Sequence, residues 1–447
     1  MGRRASKLRR TSIQLSPPQL LLVVFIFFIM LGAALLKLPF ATTESVSWLD
    51  ALFTSTSAMT VTGLAVVDTG TAYTTFGQVV IMGLIQVGGL GIMSFAMLIY
   101  LMLGKKIGFK ERLIVQQALN QTSLGGVIRL VKHLFVFSFI VEGFAMILLA
   151  AEWVPEYGWK DGLYYSLFHS ISAFNNAGFS IWSDSLMGYV GNPLVNFVIS
   201  GLFILGGIGF TVLTDLWYSK KLQKLSLHTK LMLLGTLVIN VAAILVIFAL
   251  EFNNPKTLAN LPAMDKILGA YFQAVTPRTA GFNSLDIGSM EDSTIIFTIL
   301  LMFIGAGSAS TGGGIKLTTF LVITFAVIAF LKQRKEIFIF RRRIAETYIY
   351  KSLAISMISV VLVFTAMFLL SMSEKGVPFI QILFEVVSAF GTVGLSMGLT
   401  GNLTEFGKGI IIFVMFVGKL GPLTLAFSLA KPGNDKISYP KEDILTG

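Results

Sequence analysis

Two kinds of long apolar segment alternate along the chain. Segments of the first kind, the outer helices, lie near residues 20–38, 130–150, 231–250 and 353–370. Segments of the second kind, the inner helices, lie near residues 77–103, 193–217, 294–331 and 409–429. Because a helix of about 20 apolar residues crosses the hydrocarbon core of a bilayer, the pattern predicts eight transmembrane helices.

A short phrase occurs four times, each time between an outer and an inner helix. Its copies lie at 52–64, 167–179, 271–282 and 383–395, and contain the glycines Gly63, Gly178, Gly281 and Gly394 in that order. A Phe precedes this glycine by ten residues in the first, second and fourth copies and by nine in the looser third copy. The phrase predicts a pore helix too short to cross the membrane, followed by an extended strand that the glycine closes. Four hydrophobic loops lying in the membrane interface are the alternative.

The chain therefore divides into four similar units. We predict repeats at 17–104, 105–220, 221–335 and 336–447, after a cytoplasmic N-terminus at 1–16. Both ends of each repeat lie on one side of the membrane, so the repeats are parallel. The predicted fold is an all-α polytopic membrane protein with four parallel span–pore helix–span repeats. It has eight transmembrane helices and four re-entrant pore loops around one pseudo-fourfold pore.

The composition agrees with a membrane protein. Hydrophobic residues make up 55% of the 447 residues, charged residues 13%, and the mean hydropathy is +0.80, so a soluble domain could not bury the apolar surface. The chain has no cysteine and three histidines, which excludes disulfides and thiolate metal sites and argues against an imidazole site. The sequence contains no nucleophile–base pair, phosphate loop or dinucleotide motif. We therefore predict that the chain is not an enzyme and binds no cofactor.

The formal net charge of +11 is unequally divided between the two sides of the membrane. About 25 Lys and Arg fall on the side of the N-terminus and seven on the opposite side, which identifies the basic side as cytoplasmic. This bias explains the charge without a nucleic-acid partner, and membrane lipid is the expected partner. The basic residues 341–343 face either anionic lipid or an acidic partner surface. A cleavable signal peptide is the alternative to a first span at 20–36, but the run is long for one and no clear cleavage site follows.

Each inner helix carries glycines at a similar distance from the glycine of the phrase. The first of them are Gly88, Gly206, Gly305 and Gly418, at offsets of 25, 28, 24 and 24 residues. Small residues let membrane helices pack closely, and at a constant distance from the phrase they could also line a pathway below it. The pattern is compatible with both roles.

Taken together, these motifs resemble the Trk/Ktr/HKT superfamily of potassium transporters, and most closely the KtrB/KtrD type of membrane subunit of bacterial Ktr potassium uptake systems. The resemblance covers nearly the whole chain. It is carried by Thr60-Val61-Thr62-Gly63-Leu64, Phe174-Asn175-Asn176-Ala177-Gly178-Phe179, Thr276-Pro277-Arg278-Thr279-Ala280-Gly281-Phe282, Gly391-Thr392-Val393-Gly394-Leu395 and the run 305–316. It implies a homodimer in a bacterial plasma membrane that passes K⁺ passively inward, with Na⁺ as a candidate activator. It also implies regulation by a cytoplasmic nucleotide-binding RCK ring of the KtrA/KtrC type.

The resemblance further implies that the four glycine-containing strands form one potassium selectivity filter. The predicted cation-binding residues are Thr60, Val61, Thr62, Gly63, Asn175, Asn176, Ala177, Gly178, Arg278, Thr279, Ala280, Gly281, Gly391, Thr392, Val393 and Gly394. K⁺ loses its hydration shell only where backbone carbonyl oxygens replace it. Glycine permits the positive φ that turns successive carbonyls the same way. In this family a glycine at the position of Gly63 accompanies potassium selectivity, whereas a serine there accompanies sodium permeation in some plant members.

The third inner helix is predicted to be interrupted. Its 38 residues are too many for one unbroken span, and the glycine- and serine-rich stretch 305–314 breaks it. A small polar loop below a filter either blocks and clears the pathway or is a static kink between two helices. The resemblance implies an intramembrane gate, with the residues Gly305, Gly307, Ser308, Ser310, Thr311, Gly312, Gly313, Gly314 and Lys316.

Four ionisable residues lie inside the predicted membrane region, namely Glu142, Lys316, Glu385 and Lys419. A charge at the bilayer centre costs about 2.5–3.5 kcal/mol on insertion scales, so each of them needs a reason. Lys419, at a position where the family carries a basic residue, either faces the pore and lowers ion occupancy or forms a salt bridge. Lys316 is placed to tether the gate, and Glu142 has no predicted role. Glu385 occupies the pore-helix position held in the other copies by Thr54, His169 and Gln273, which indicates structural hydrogen bonding.

Two other classes of protein are alternatives. A secondary transporter that couples an organic solute to Na⁺ or H⁺ would show inverted repeats and acidic residues at mid-membrane. These repeats are parallel and the filter strands lack acids. A membrane scaffold would leave the fourfold phrase unexplained.

Overall fold

The computed structural model describes residues 17–91, 127–219, 221–334 and 336–429, together with the single positions 94, 113, 116 and 442. The predictions for the N-terminus at 1–16, for the end of the first inner helix at 92–103 and for most of the following loop lie outside these residues. The described part of the chain is almost entirely helical, as predicted.

Four helices are long and apolar enough to cross a membrane. They are Pro17–Leu36, Val127–Phe174, Leu227–Glu251 and Glu346–Ser373, and they contain the four predicted outer helices. Large apolar side chains such as Phe27, Ile147 and Phe364 stand exposed on them. Apolar surface of this kind is stable where lipid surrounds it. The chain is therefore a multi-pass membrane protein.

The four pore helices lie inside the protein. Three of them are separate helices, Trp48–Thr60, Ala263–Val275 and Phe379–Gly391. The second pore helix is the continuation of Val127–Phe174 after a turn at Gly158, where φ is 83° and ψ is 168°. The phenylalanines of the repeated phrase, Phe53, Phe168, Phe272 and Phe384, are all fully buried. Burying a ring of this size contributes about 1.5–3 kcal/mol, so these side chains anchor the pore helices.

The inner helices are interrupted at glycines. Their segments are Thr75–Leu90; Pro193–Ile208 and Phe210–Tyr218; Asp292–Phe303 and Leu317–Leu331; and Glu405–Leu420 and Pro422–Leu429. The first helix ends before Gly91 (φ 88°), and Gly209 (φ 106°) and Gly421 (φ 84°) separate the segments of the second and fourth. The two segments of the second inner helix meet at 92°.

Only the third of these interruptions was predicted. The prediction of continuous inner helices at 193–217 and 409–429 is wrong, because Gly209 and Gly421 redirect the chain. Their positive φ is strained for residues that carry a Cβ but accessible to glycine. An interpretation of the sequence that treats these glycines only as packing residues misses their positive φ.

Other glycines of the inner helices do have a packing role. A Cβ at Gly88, Gly206 or Gly418 would lie 2.8, 3.0 and 3.0 Å from the carbonyl carbons of Met59, Phe174 and Phe390, respectively. Each of these carbonyls belongs to the end of the pore helix in the same repeat. Small residues therefore bring each inner helix against the end of its pore helix.

Among the described residues, one short hairpin contains the only β-strands. Phe338–Ile339 pairs antiparallel with Arg342–Arg343 through a turn at Phe340 and Arg341. The hairpin carries the predicted basic cluster at 341–343, and Arg343 pairs with Glu336 at 2.5 Å. In chain order, the hairpin follows the third inner helix and precedes the fourth outer helix. The prediction of an all-α protein did not include it.

Candidate ion pathway

The four pore helices end in the same backbone conformation. Two residues before each glycine of the phrase, a residue with a side chain has a left-handed φ: Val61 (50°), Asn176 (58°), Thr279 (70°) and Thr392 (49°). The glycines at 63, 178, 281 and 394 follow with φ of 93°, 67°, 80° and 92°. A left-handed residue just past the last turn ends an α-helix, but one with a Cβ is strained by about 1–2 kcal/mol. Sequence reasoning predicted the glycines and missed the strained residues, because Val and Thr usually avoid this conformation.

Backbone hydrogen bonds fix each strand to its pore helix. Thr62 N, Ala177 N and Val393 N donate to the carbonyls of Ser57, Ser172 and Ser388 at 2.8, 2.8 and 2.9 Å. In the third copy Ala280 N donates to Thr276 O at 3.0 Å. This bond spans four residues instead of five, which accounts for the spacing of nine instead of ten residues between Phe and Gly in that copy.

The four glycines form a closed ring. A Cβ at Gly63 would lie 3.1 Å from the Cα of Gly178, and one at Gly178 would lie 2.7 Å from the Cα of Gly281. A Cβ at Gly281 would lie 3.4 Å from the Cα of Gly394, and one at Gly394 would lie 3.0 Å from the Cα of Gly63. Backbone therefore packs on backbone around the whole ring, and side chains at these positions would collide. The structure brings the predicted strands of all four copies together at one point.

Several side chains of the predicted cation-binding residues bond to groups outside the glycine ring. Thr60 Oγ1 bonds to Thr56 O and to Thr62 Oγ1, both at 2.7 Å. The Arg278 guanidinium donates from Nη1 to Asn240 Oδ1 of the third outer helix at 3.1 Å. Because its side chain is bonded to Asn240, Arg278 can contribute only its backbone to the ring. These polar side chains form a hydrogen-bonded shell behind the strands.

The pore-helix position shared by Thr54, His169, Gln273 and Glu385 also belongs to this shell. Tyr73 OH donates to Thr54 Oγ1 at 3.1 Å, and His169 Nε2 lies 3.1 Å from Ser180 Oγ. Glu385 accepts hydrogen bonds from Ser396 Oγ at 2.9 Å and from Thr400 Oγ1. In three repeats the residue thus bonds to the chain that follows the filter strand, in agreement with the predicted structural role. The amide of Gln273 is buried without a partner among the described residues.

The loop between the two halves of the third inner helix, 304–316, is bound to the second and fourth inner helices. Gly307 N donates to Gly207 O at 2.8 Å and Thr311 N to Gly206 O at 3.3 Å. On the other side, Gly314 N donates to Gly418 O at 3.1 Å. The loop therefore uses the backbone of the same glycine-rich segments that pack against the pore helices.

The same loop lies directly against the ends of three of the four glycine-containing strands. Thr311 Oγ1 donates to Asn176 Oδ1 at 2.6 Å, and Gly313 N donates to Thr392 Oγ1 at 2.9 Å. A Cβ at Gly312 would lie 3.0 Å from the Cβ of Thr279. Among the described residues, no hydrogen bond joins the loop to the first repeat. The loop thus sits across the end of the glycine ring and is held on three of its four sides.

Two half-buried lysines hold the loop through its carbonyl oxygens. Lys316 Nζ donates to Gly312 O at 2.5 Å, and Lys419 Nζ, from the fourth inner helix, donates to Thr311 O. Neither lysine has a carboxylate partner within the described ranges. Within these ranges the partner of Lys419 is a loop carbonyl and not the carboxylate of the alternative prediction.

A cavity of about 340 Å³ lies beside the loop. Its lining includes Gly89, Gly91, Ser310, Gly312, Lys419 and Gly421. The cavity therefore borders the first and the fourth inner helices as well as the loop. Of the inner-helix glycines, Gly88, Gly89, Gly91 and Gly421 line this space, whereas Gly206, Gly305 and Gly418 do not.

The comparisons with known proteins agree with this geometry. The sequence profile of a family described as "TrkH: Cation transport protein" matches residues 11–438. The chain is 60% identical to the Ktr system potassium uptake protein B of Bacillus subtilis (strain 168), over 97% of this chain and 98% of that protein. It is 37% identical to the potassium/sodium uptake protein NtpJ of Enterococcus hirae, over 98% of this chain and 99% of that protein.

A solved structure has the same fold. The crystal structure of the potassium transporter TrkH from Vibrio parahaemolyticus superposes with a TM-score of 0.73. The match covers 94% of this chain and 87% of the other, at 22% sequence identity.

Proposed function

Because this chain belongs to the TrkH family of cation transport proteins, we propose that it is the ion-conducting membrane subunit of a potassium uptake system and passes K⁺ inward. Family membership confirms the predicted Trk/Ktr/HKT relationship and the prediction that the chain is a transporter and not an enzyme. The substrate K⁺ is supported by the names of the relatives, which are potassium uptake proteins.

The filter is assigned to the four strands that end at Gly63, Gly178, Gly281 and Gly394. The closed ring of glycine backbones is the observation that carries this assignment, because it lets four strands approach one another at a single point. Carbonyl oxygens can replace the hydration shell of K⁺ only at such a convergence. The corresponding architecture has eight spans in four parallel repeats, at 17–104, 105–220, 221–335 and 336–447, around one pseudo-fourfold axis.

The loop at 304–316 is proposed to be the gate. It lies across the end of the ring, where Thr311 and Gly313 hold it by hydrogen bonds, while the buried side chains of Ile304 and Ile315 fix only its two ends. Breaking a hydrogen bond of this kind has a net cost of about 0.5–1.5 kcal/mol, so the loop can be released. Lys419 adds a positive charge at the same point, which disfavours occupancy by K⁺ while the loop is bound.

The proposal also includes partners and a membrane. The names of the relatives refer to a Ktr system, which supports further components of such a system as partners. The resemblance of the motifs implies a cytoplasmic nucleotide-binding RCK ring and a homodimer in a bacterial plasma membrane, and both are part of the proposal. Na⁺ is proposed as an activator or second substrate, supported by the name of the Enterococcus hirae relative, a potassium/sodium uptake protein.

The filter assignment is tested by the substitution Gly63→Ser, in a bacterium that lacks its own potassium uptake systems. Gly398 supplies the matched control, because its φ of 86° resembles the 93° of Gly63 but a Cβ there meets nothing within 4 Å. We expect wild type and Gly398→Ser to restore growth on limiting K⁺. Gly63→Ser should lose preference for K⁺ over Na⁺ by about tenfold or more, since a well-built site distinguishes ligands by at least 1.4 kcal/mol. Gly63→Ser protein at wild-type membrane levels with unchanged ion preference would overturn the assignment.

A further inference from the structure

Glu142 is a buried carboxylate for which the pathway described above provides no role. It lies on the second outer helix with 4% of its surface exposed. Its partners are two amides: Gln86 Nε2 donates to both carboxylate oxygens at 3.0 and 3.1 Å, and Asn175 Nδ2 donates to Oε1 at 3.4 Å. Asn175 Nδ2 also donates to Gln86 Oε1 at 2.7 Å, which closes the cluster.

The cluster contains a buried carboxyl group without a counter-charge. All hydrogen bonds that the described residues make to Glu142 run from an amide N–H to a carboxyl oxygen. No Lys or Arg of the described chain lies within ion-pair distance of it. A buried carboxyl group of this kind is retained only where a strong reason outweighs its desolvation.

The cluster reaches the filter through one residue. Asn175 lies three residues before Gly178 and is fully buried, and its neighbour Asn176 bonds to the gate loop at Thr311. Gln86 lies two residues before Gly88, where the first inner helix meets its pore helix. Glu142 therefore joins the inner helix of the first repeat, the outer helix of the second repeat and the second filter strand.

The third repeat has a related contact at the position that corresponds to Asn175. Three residues before Gly281 lies Arg278, whose guanidinium is bonded to Asn240 of the third outer helix. Asn176 Nδ2 donates to Thr279 Oγ1 at 3.3 Å, so these two strands are neighbours. In two adjacent strands the residue three positions before the ring glycine is thus bonded to a polar side chain of an outer helix.

We propose that Glu142 is a positioning residue for potassium binding: by accepting hydrogen bonds from Gln86 and Asn175 it orients the second filter strand. This inference rests on the proposed filter function and extends it to a residue outside the filter. Glu142 acts from behind the strand, so it raises the affinity of the filter for K⁺ without touching the ion.

The test compares potassium uptake and K⁺ binding by wild type, Glu142→Gln and the double variant Gln86→Glu/Glu142→Gln. Glu142→Gln keeps the shape of the side chain and replaces one acceptor oxygen by a donor, so that an amide of Gln86 or Asn175 loses its partner. We expect its KM for K⁺ and its equilibrium Kd in detergent to rise about tenfold with Vmax retained, because a hydrogen bond that orients the strand is lost. The double variant exchanges the carboxyl and amide groups between the two positions, so donors face acceptors again, and it should restore KM to within about twofold of wild type.

Ser138→Ala is the matched control, because Ser138 is buried one turn earlier on the same helix and its Oγ donates only to Leu134 O, at 2.7 Å. It should leave KM unchanged. An unchanged KM with lowered Vmax in Glu142→Gln would overturn the proposal, as would failure of the relocated carboxylate to restore KM. If Glu142→Gln does not accumulate in the membrane, the KM of the double variant decides in the same way. Absence of K⁺ uptake by wild type would instead reject the proposed function itself.

Discussion

Glycine residues in this protein serve two separate physical purposes. At Gly209 and Gly421 a positive φ turns the chain, whereas at Gly88 and Gly206 the absence of a Cβ lets a helix approach a carbonyl. The ring glycines combine both purposes, because they have positive φ and also contact the neighbouring strand. A substitution therefore has a different effect at each kind of glycine.

Gly88→Ala and Gly83→Ala separate packing from helix propensity on one helix. A Cβ at Gly88 would lie 2.8 Å from the carbonyl carbon of Met59, whereas a Cβ at Gly83 meets nothing within 4 Å. We expect Gly88→Ala to lower the free energy of unfolding by about 1–3 kcal/mol through overpacking. Gly83→Ala should raise it by about 0.5–1 kcal/mol through helix propensity. Thermal unfolding in detergent measures both, and equal shifts would contradict the packing role of Gly88.

Single residues also mark the limit of prediction from the sequence. The spacing of Phe and Gly in the phrase was enough to identify the ring glycines, because their repetition is independent of context. The left-handed φ of Val61 and the outward direction of the Arg278 side chain had no local signal. Both depend on neighbouring strands and helices, which override local preference.

At the scale of elements, the loop at 304–316 and the segments that hold it form one unit. Its hydrogen bonds reach two inner helices and the ends of the second and fourth filter strands, and two lysines bind its carbonyls. The length of the third inner helix predicted this interruption. Apart from Lys316, which was predicted to tether the loop, its partners could not be predicted, because they come from residues more than 70 positions away in the chain.

Shortening the loop tests its role as a gate. Deletion of 308–313 removes the bonds from Thr311 and Gly313 that cover the ring. We expect the K⁺ flux to rise at least severalfold and control by the cytoplasmic partner to weaken. The flux is measured as uptake of ⁸⁶Rb⁺ into proteoliposomes. An uptake signal about tenfold above background is enough for the comparison. A replacement of equal length by Gly and Ser should give a smaller increase, and unchanged flux in the deletion would reject the gate.

At the scale of the whole molecule, contacts between the two ends of the chain close the arrangement of helices. The first pore helix packs against the fourth inner helix. An ion pair there joins Asp50 to Lys408, which lies 358 residues later in the chain. Lys408 Nζ lies 2.6 Å from Asp50 Oδ1, and both side chains are mostly buried. Ser47 caps the same helix end by accepting a hydrogen bond from Asp50 N at 3.1 Å.

Lys408→Gln is expected to destabilise the protein by about 1 kcal/mol at neutral pH, since the pair is partly desolvated. Burial raises the pKa of Asp50, but the hydrogen bonds from Lys408 and Ser47 together lower it by more, so the pKa lies below the ordinary value of 3.8. A carboxyl with a lowered folded pKa stabilises the protein above its unfolded pKa and loses that contribution as pH falls through the folded value. The difference between wild type and variant in thermal unfolding should therefore be constant from neutral pH down to about pH 5 and vanish only below 3.8. A difference that disappears near neutral pH would contradict this account.

Among the described residues, the loop below the ring borders a cavity that the first and fourth inner helices line together, at Gly89, Gly91, Lys419 and Gly421. On the proposed pathway, an ion that leaves the ring while the loop is bound would travel off the central axis through this cavity. We expect such an exit to be eccentric, so that the two helices that line the cavity, and not the whole perimeter, set the conductance.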